Sequence, residues 1–145
     1  MLITLSGADT KKLEDLTCGF EGFRARPYKD TKGILTWGYG TNLTTRALTE
    51  EEALMLLRDD MQAIEAELTK NIPGFTDLAP ARKIALLDMC YNMGIHGLLG
   101  FGKMISSIKS GNFSQAAADM MDSTWGKENY RRAYQDSTLM EKGSF

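Results

Sequence analysis

The chain contains few of the residues that disulfide scaffolds and metal sites require. Its 145 residues include two cysteines, three prolines and one histidine. Two cysteines are too few for a disulfide scaffold at this length. Since Cys18 and Cys90 both lie within apolar helical patterns, we interpret them as buried free thiols. A redox role for Cys18, three residues before Glu21, is the less favoured alternative.

Long apolar runs and an excess of one charge are also missing. No stretch of 18 apolar residues occurs, and the first residues, MLITLSGADTKK, lack the basic start and apolar run of a signal peptide. The 17 basic and 19 acidic residues give a net charge of −2, without the basic excess expected of a nucleic-acid-binding protein. We therefore expect no signal peptide, no membrane span and no nucleic-acid partner. The basic cluster of Lys127, Arg131 and Arg132 is interpreted as a solvated helix face.

Hydrophobic periodicity predicts a largely helical chain. A first helix is expected over about residues 9–20, capped by Asp9 or Thr10. The nine methionines are interpreted as residues that fill gaps between packed helices. Further helices are expected over about residues 49–69, 80–93, 104–110, 114–122 and 128–141.

One segment near the N-terminus favours a small sheet. Asp30-Thr31-Lys32-Gly33 is a turn signal between two short β-prone runs, Pro27–Lys29 and Ile34–Trp37. Gly38 and Gly40 allow the backbone after these strands to turn sharply or to approach a ligand. The order of elements indicates a mostly α, α+β fold.

Two carboxyl groups and a hydroxyl group occur where the first helix gives way to the sheet. Glu21 is at the helix end, Asp30 in the turn and Thr36 on the following strand. Taken singly, each residue is explained by local structure, because a glutamate is common at a solvated helix end, an aspartate in a turn and a threonine in a strand. Together they match glycoside hydrolysis, which needs a protonated carboxyl for the leaving oxygen and an ionised one for water or the developing cation.

The pattern E-G-x5-Y-x-D-x2-G-x2-T-x-G-x-G resembles the signature of phage lysozymes, the endolysins. Eight fixed positions match it: Glu21, Gly22, Tyr28, Asp30, Gly33, Thr36, Gly38 and Gly40. The downstream segments that are similar to the family's central helix and C-terminal pattern are Cys90–Gly94, Gly97, Gly100-Phe101, Ser123–Trp125, Arg132-Ala133, Met140 and Gly143. The resemblance covers about residues 13–143.

The resemblance implies a two-lobed lysozyme fold with a cleft between the lobes. It implies a single lysozyme domain, residues 1–145. The helix-and-sheet lobe would span about 9–48 and the helical lobe about 49–145.

Roles for individual residues follow from the same resemblance. Glu21 matches the catalytic acid, Asp30 the second carboxylate, and Thr36 the hydroxyl that helps to hold the attacking water. In supporting roles, the resemblance implies an amide facing the cleft, an aromatic residue on its far wall and an arginine paired with the catalytic acid: Asn92, Phe101 and Arg132.

The activity implied is hydrolysis of the β-1,4 bond between N-acetylmuramic acid and N-acetylglucosamine in peptidoglycan. No metal or cofactor is implied, and the protein is expected to be a monomer that inverts the anomeric carbon. It would be made in the host cytoplasm and reach the cell wall through a separate holin, lysing the host. A lytic transglycosylase and a catalytically silent wall-binding or phage-structural module remain as alternatives. Asp30 and Thr36 argue against the former, because a transglycosylase needs no attacking water.

The sequence departs from the family pattern at two points. Thr41 stands where many members have a histidine that supports the site from behind, so we expect this support to differ here. The single histidine, His96, is interpreted as a surface-turn residue. The chain is also acidic, so long-range attraction to the carboxylates of peptidoglycan is expected to be weak.

Overall fold

A computed structural model describes residues 4–145 of the chain. These residues divide into two compact units, residues 4–52 and 53–145. The first unit contains a helix and a small sheet, and the second is built from helices. The predicted class, mostly α with a small antiparallel sheet, is confirmed.

The first helix, α1, spans Gly7–Glu21 and begins earlier than predicted. Its N-cap is Ser6, whose hydroxyl group accepts a hydrogen bond from the backbone N–H of Asp9 at 3.2 Å. The prediction that Asp9 or Thr10 caps the helix is therefore wrong. Ser6 has the extended backbone that an N-cap needs, while Asp9 lies in the first turn, where a negative charge interacts favourably with the helix dipole.

The sheet has three antiparallel strands in the order β1-β2-β3. Its strands are β1 (Arg24–Lys29), β2 (Leu35–Gly38) and β3 (Thr41–Asn42). Thr36 in the central strand lies opposite Tyr28 on one side and Asn42 on the other. The two predicted strands are confirmed, and the third is an addition, since two residues are too short to show an alternating pattern.

Within the described residues, six further α-helices follow the sheet, and a short 3-10 helix (Phe75–Asp77) lies between the first two of them. The six α-helices are α2 (Glu50–Asn71), α3 (Pro80–Leu99), α4 (Gly102–Lys109), α5 (Phe113–Asp122), α6 (Thr124–Glu128) and α7 (Tyr130–Lys142). All except α6 were predicted within a few residues. A capping box opens α2, because the Thr49 hydroxyl accepts from the Glu52 N–H at 3.2 Å and the Glu52 carboxylate accepts from the Thr49 N–H at 3.0 Å.

Helix α3 is interrupted at Gly94, where the sequence predicted its end. Gly94 has φ 76° and ψ 164°, outside the helical region, and a short helical segment continues to Leu99. Only glycine adopts this conformation without strain. The prediction of a break is confirmed, although helical backbone resumes beyond it.

The hydrophobic core of the second unit lies among the C-terminal end of α2 and helices α3, α4, α5 and α7. Four of the nine methionines are completely buried there, as expected of residues that fill the core: Met89, Met104, Met120 and Met140. Met55 of α2 is 59% exposed, so the interpretation is wrong for that residue. Within residues 4–52, Thr36 is the one buried residue.

In the part of the chain that the structure describes, no single helix has the length and apolar character to cross a membrane. The pair α3 and α4, bent by 98°, meets those criteria on length and composition only.

Candidate active site

Glu21 is the last residue of α1, and its carboxylate lies against the loop between β2 and β3. A Cβ atom built on Gly40 in this loop would lie 2.7 Å from Glu21 Oε2. The Glu21 side chain is exposed, and no donor within residues 4–145 forms a hydrogen bond with its carboxylate. The carboxyl group is therefore positioned by α1 and Gly40 but remains accessible to a substrate.

Asp30 shapes the turn between β1 and β2. Its Oδ1 accepts hydrogen bonds from the backbone N–H groups of Lys32, at 2.8 Å, and Ile34, at 2.9 Å. Its carbonyl oxygen accepts from the N–H of Gly33 at 2.9 Å. The carboxylate is therefore held in place through one oxygen, and Oδ2 is left as an acceptor without a donor among the described residues.

Thr36 is buried in the central strand, with 4% of its surface exposed. Its hydroxyl group donates to the carbonyl oxygen of Ile34 at 3.0 Å. Because a hydroxyl oxygen also has two lone pairs, Thr36 retains the capacity to accept a hydrogen bond.

The first unit therefore contains all three predicted catalytic residues on consecutive elements. Asp30 precedes β2, Thr36 lies in it, and Gly40, which contacts Glu21, follows it. Their roles in catalysis stay predictions. Thr41, at the position where many family members have histidine, opens β3 opposite Trp37.

An exposed aromatic pair flanks the contact between Glu21 and Gly40. The rings of Phe23 and Tyr39 lie 5.4 Å apart at their centroids, and both residues are largely exposed. Neither residue was predicted from the sequence. The one feature of the sequence that could have pointed to them is their position, two residues after Glu21 and one before Gly40.

In the second unit, Asn92 and Phe101 both contact Trp125 of α6. The indole Nε1 of Trp125 donates to Asn92 Oδ1 at 2.7 Å, and the Phe101 ring packs edge-on with a centroid distance of 6.4 Å. Phe101 and Trp125 also line a surface pocket together with Asp119 and Asp122. Trp125 was noted within the family pattern but not predicted as a site residue, and the structure makes it the common partner of two that were.

Arg132 of α7 is bound by Asp88 of α3. Its Nε donates to Asp88 Oδ2 at 2.6 Å and one terminal nitrogen donates to Oδ1 at 2.8 Å, with each side chain 35% exposed. The hydrogen bonds that Arg132 donates to this carboxylate raise the pKa of Arg132. Sequence reasoning missed Asp88, and the pairing of Arg132 with Glu21 stays a prediction.

Fold and family together define the class of the protein. A mostly α chain with this small sheet, matched over residues 18–140 by the family model for phage lysozyme, is a glycoside hydrolase of the lysozyme type that acts on peptidoglycan. The match includes all six predicted site residues. The chain belongs to the phage lysozyme family.

Several curated proteins are similar along most of this chain. A probable T4-type lysozyme of Dictyostelium discoideum is 25% identical over 91% of this chain and 95% of its own length. The endolysin of Bacillus phage B103 is 30% identical over 89% of this chain, which spans about half (52%) of that protein. The pre-baseplate central spike protein of Enterobacteria phage T4 is 23% identical over 86% of this chain and 26% of its own length.

Proposed function

We propose that the chain hydrolyses the β-1,4 bond between N-acetylmuramic acid and N-acetylglucosamine, with Glu21 as general acid and with inversion. The observation that carries the proposal is the placement of Glu21. Its carboxyl group is exposed and lies against Gly40, in the same compact unit as Asp30 and Thr36. An exposed acid that is free of hydrogen-bond donors can approach a glycosidic oxygen.

In the proposed reaction, Glu21 donates its proton to the glycosidic oxygen while the bond from that oxygen to the anomeric carbon breaks. A water molecule attacks the anomeric carbon from the opposite face, and Asp30 takes the proton that the water loses. The product is a reducing sugar with the α configuration. Before the next cycle Glu21 takes up a proton from solvent and Asp30 releases one to it.

The hydrogen bonds of Asp30 and Thr36 suit the binding of that water. Asp30 is fixed through Oδ1, so its Oδ2 is left to accept a proton. The Thr36 hydroxyl donates its hydrogen to the carbonyl oxygen of Ile34, so the lone pairs of the hydroxyl oxygen remain able to accept a hydrogen bond. Both residues therefore offer acceptors to a nucleophile that has hydrogens to donate. Inversion requires room for this water, so we expect the two carboxyl groups to stand about 6.5–9.5 Å apart in the complex with substrate.

We further propose that the biological role is lysis of a bacterial host by a phage. The similarity to a phage endolysin supports this role. The protein would act as a monomer, be made in the host cytoplasm and reach the wall through a separate holin. The similarity to a phage baseplate spike protein favours a second candidate role, cell-wall digestion by a tail-associated protein. Detection of the chain in purified virions would distinguish the tail role from the lytic one.

Product analysis on purified peptidoglycan tests the chemistry. Reducing ends that NMR first detects as the α anomer are the expected result. The β anomer first would contradict inversion, and anhydromuramic ends in mass spectra would identify a transglycosylase. Binding to the wall without release of fragments would identify a silent wall-binding module. Glu21→Gln protein purified in parallel controls for contaminating hydrolases.

A further inference from the structure

Asp136 of α7 is a buried carboxyl group that the proposed reaction does not use. Only 4% of its surface is exposed, and its Oδ2 atom is buried without a hydrogen-bond partner among residues 4–145. An ionised carboxylate in that position would be costly, because it would lose hydration without gaining a donor. A protonated carboxyl group avoids this cost, since it can itself donate a hydrogen bond.

A suitable acceptor lies beside it. Asp88 of α3 lines the same surface pocket as Asp136 and Arg132. Both oxygens of Asp88 accept from Arg132, which lies one helical turn before Asp136 in α7. Two carboxylates therefore face one guanidinium group, and adjacent like charges favour protonation of one of them. Burial and the neighbouring Asp88 raise the pKa of Asp136 to about 8, and the opposing effect of Arg132 is smaller.

We propose that Asp136 and Asp88 share one proton at neutral pH, and that this proton fixes Asp88 in the orientation that binds Arg132. The proton resides on Asp136 and is donated to Asp88, which accepts from Arg132 on its other side. Asp136 is thus a positioning residue for Arg132. The inference concerns the second unit alone and does not rest on the proposed function.

Few other charged groups act on this cluster. From α3, Tyr91 adds an interaction with Arg132. The buried residues that α5 and α6 contribute are apolar or glycine: Ala116, Ala117, Met120 and Gly126. The protonation of Asp136 is therefore governed by Asp88 and Arg132 together with burial.

The raised pKa of Asp136 makes the stability of the folded protein decrease as the pH rises. An aspartate in the unfolded chain loses its proton near its ordinary pKa, whereas folded Asp136 keeps its proton up to about pH 8. Its contribution is fully present at low pH and is lost as the pH rises towards about 8. Within this range, unfolding releases a proton.

Thermal unfolding between about pH 5 and about pH 8 tests the proposal in the full chain. We expect the wild-type Tm to fall by at least about 5 °C across this range. Asp136→Asn keeps a donor for Asp88 but cannot titrate, so its Tm should fall markedly less. The matched control is Asp59→Asn, at an exposed aspartate of α2, which should keep the wild-type slope. The upper limit of pH keeps ionisation of the Cys90 thiol, whose pKa burial raises, out of the measurement.

Calorimetry in two buffers of different ionisation enthalpy counts the protons released on unfolding at neutral pH. Wild type should release close to one proton more than Asp136→Asn. Equal proton counts, or equal Tm slopes, would overturn the proposal. If Asp136→Asn fails to fold, the wild-type measurement alone still tests the proposal, which would be overturned if the wild type released no proton on unfolding.

The positioning role has its own readout. The coupling between Asp88 and Arg132, measured by a double-mutant cycle, should be lost in an Asp136→Leu background and retained in an Asp136→Asn background. Retention in both backgrounds would show that Asp136 does not position Asp88.

Discussion

The carboxylate of Glu21 packs directly on Gly40, so that a Cβ atom at position 40 would come within 2.7 Å of Oε2 and 3.3 Å of Cδ. Real Cβ atoms do not approach other atoms so closely. Gly40 also has φ +80°, a conformation that other residues rarely adopt. The loop between β2 and β3 therefore determines where the proposed catalytic acid can lie.

Gly40→Ala should reduce wall hydrolysis at least tenfold, because the new methyl group must displace the Glu21 carboxylate. A misplacement of about 1 Å is enough to cost on the order of 10²-fold in rate. Turbidity loss of permeabilised bacteria measures the activity, and thermal unfolding measures the stability.

Gly111→Ala is the matched control, since Gly111 has φ +74° but no atom within 4 Å of a built Cβ. Both substitutions should cost about 1 kcal/mol of stability from backbone strain. Equal activity in the two variants would show that the contact with Gly40 does not position Glu21.

Glu21→Gln should lower the rate of wall hydrolysis by a factor of about 10²–10⁴, the usual contribution of general acid catalysis. The substitution keeps the size of the side chain but removes its dissociable proton. Because Glu21 is exposed and its carboxylate has no donor within residues 4–145, the Tm should stay within a few degrees of wild type.

Glu14→Gln, at another exposed position of α1, serves as the control and should keep full activity. If Glu21→Gln retains most of its activity, another residue is the acid. If it unfolds, Glu21 has a structural role.

Much of the fold could be predicted because its main elements are long or carry strong signals. The helix predicted to begin at about residue 49 agrees with α2, and the turn residues from Asp30 predicted the β1–β2 hairpin. Strand β3 and helix α6, of two and five residues, were missed since neither is long enough to show a hydrophobic period. Ser6 was missed as a cap because the apolar positions that mark α1 begin only at Leu13.

The candidate site was less predictable than the fold. The spacing from Glu21 to Thr36 suggested a catalytic group, but local patterns do not report contacts made through tertiary structure. Asp88 and Arg132 are 44 residues apart, and α3 and α7 must pack together before they meet. The contact of Glu21 with Gly40 likewise depends on how the sheet follows α1.

The ion pair of Asp88 and Arg132 should show a coupling free energy of about 1 kcal/mol in a double-mutant cycle with Asp88→Ala and Arg132→Ala. It is bidentate and partly shielded, whereas exposed pairs contribute about 0–1 kcal/mol. Chemical denaturation of the four proteins gives the value.

Lys11 and Asp15 of α1, which form an exposed pair, provide the comparison for that cycle. Their coupling should be the smaller of the two and should vanish at high salt. A coupling between Asp88 and Arg132 no larger than theirs would contradict the geometry of the pair.

The two cysteines should react at very different rates in the folded protein. Both are free thiols; Cys18 of α1 is partly exposed, while Cys90 of α3 is 2% exposed. Burial raises the pKa of the Cys90 thiol, which lowers its content of reactive thiolate at neutral pH, and it also blocks access of a reagent. Mass spectrometry after brief alkylation should therefore find one label in the native protein and two after unfolding, and Cys18→Ser should remove the native label. Because both cysteines are free thiols, reducing agent should leave the activity unchanged. Native labelling of Cys18→Ser at the wild-type rate would show that Cys90 is accessible to the reagent and would contradict its burial in α3.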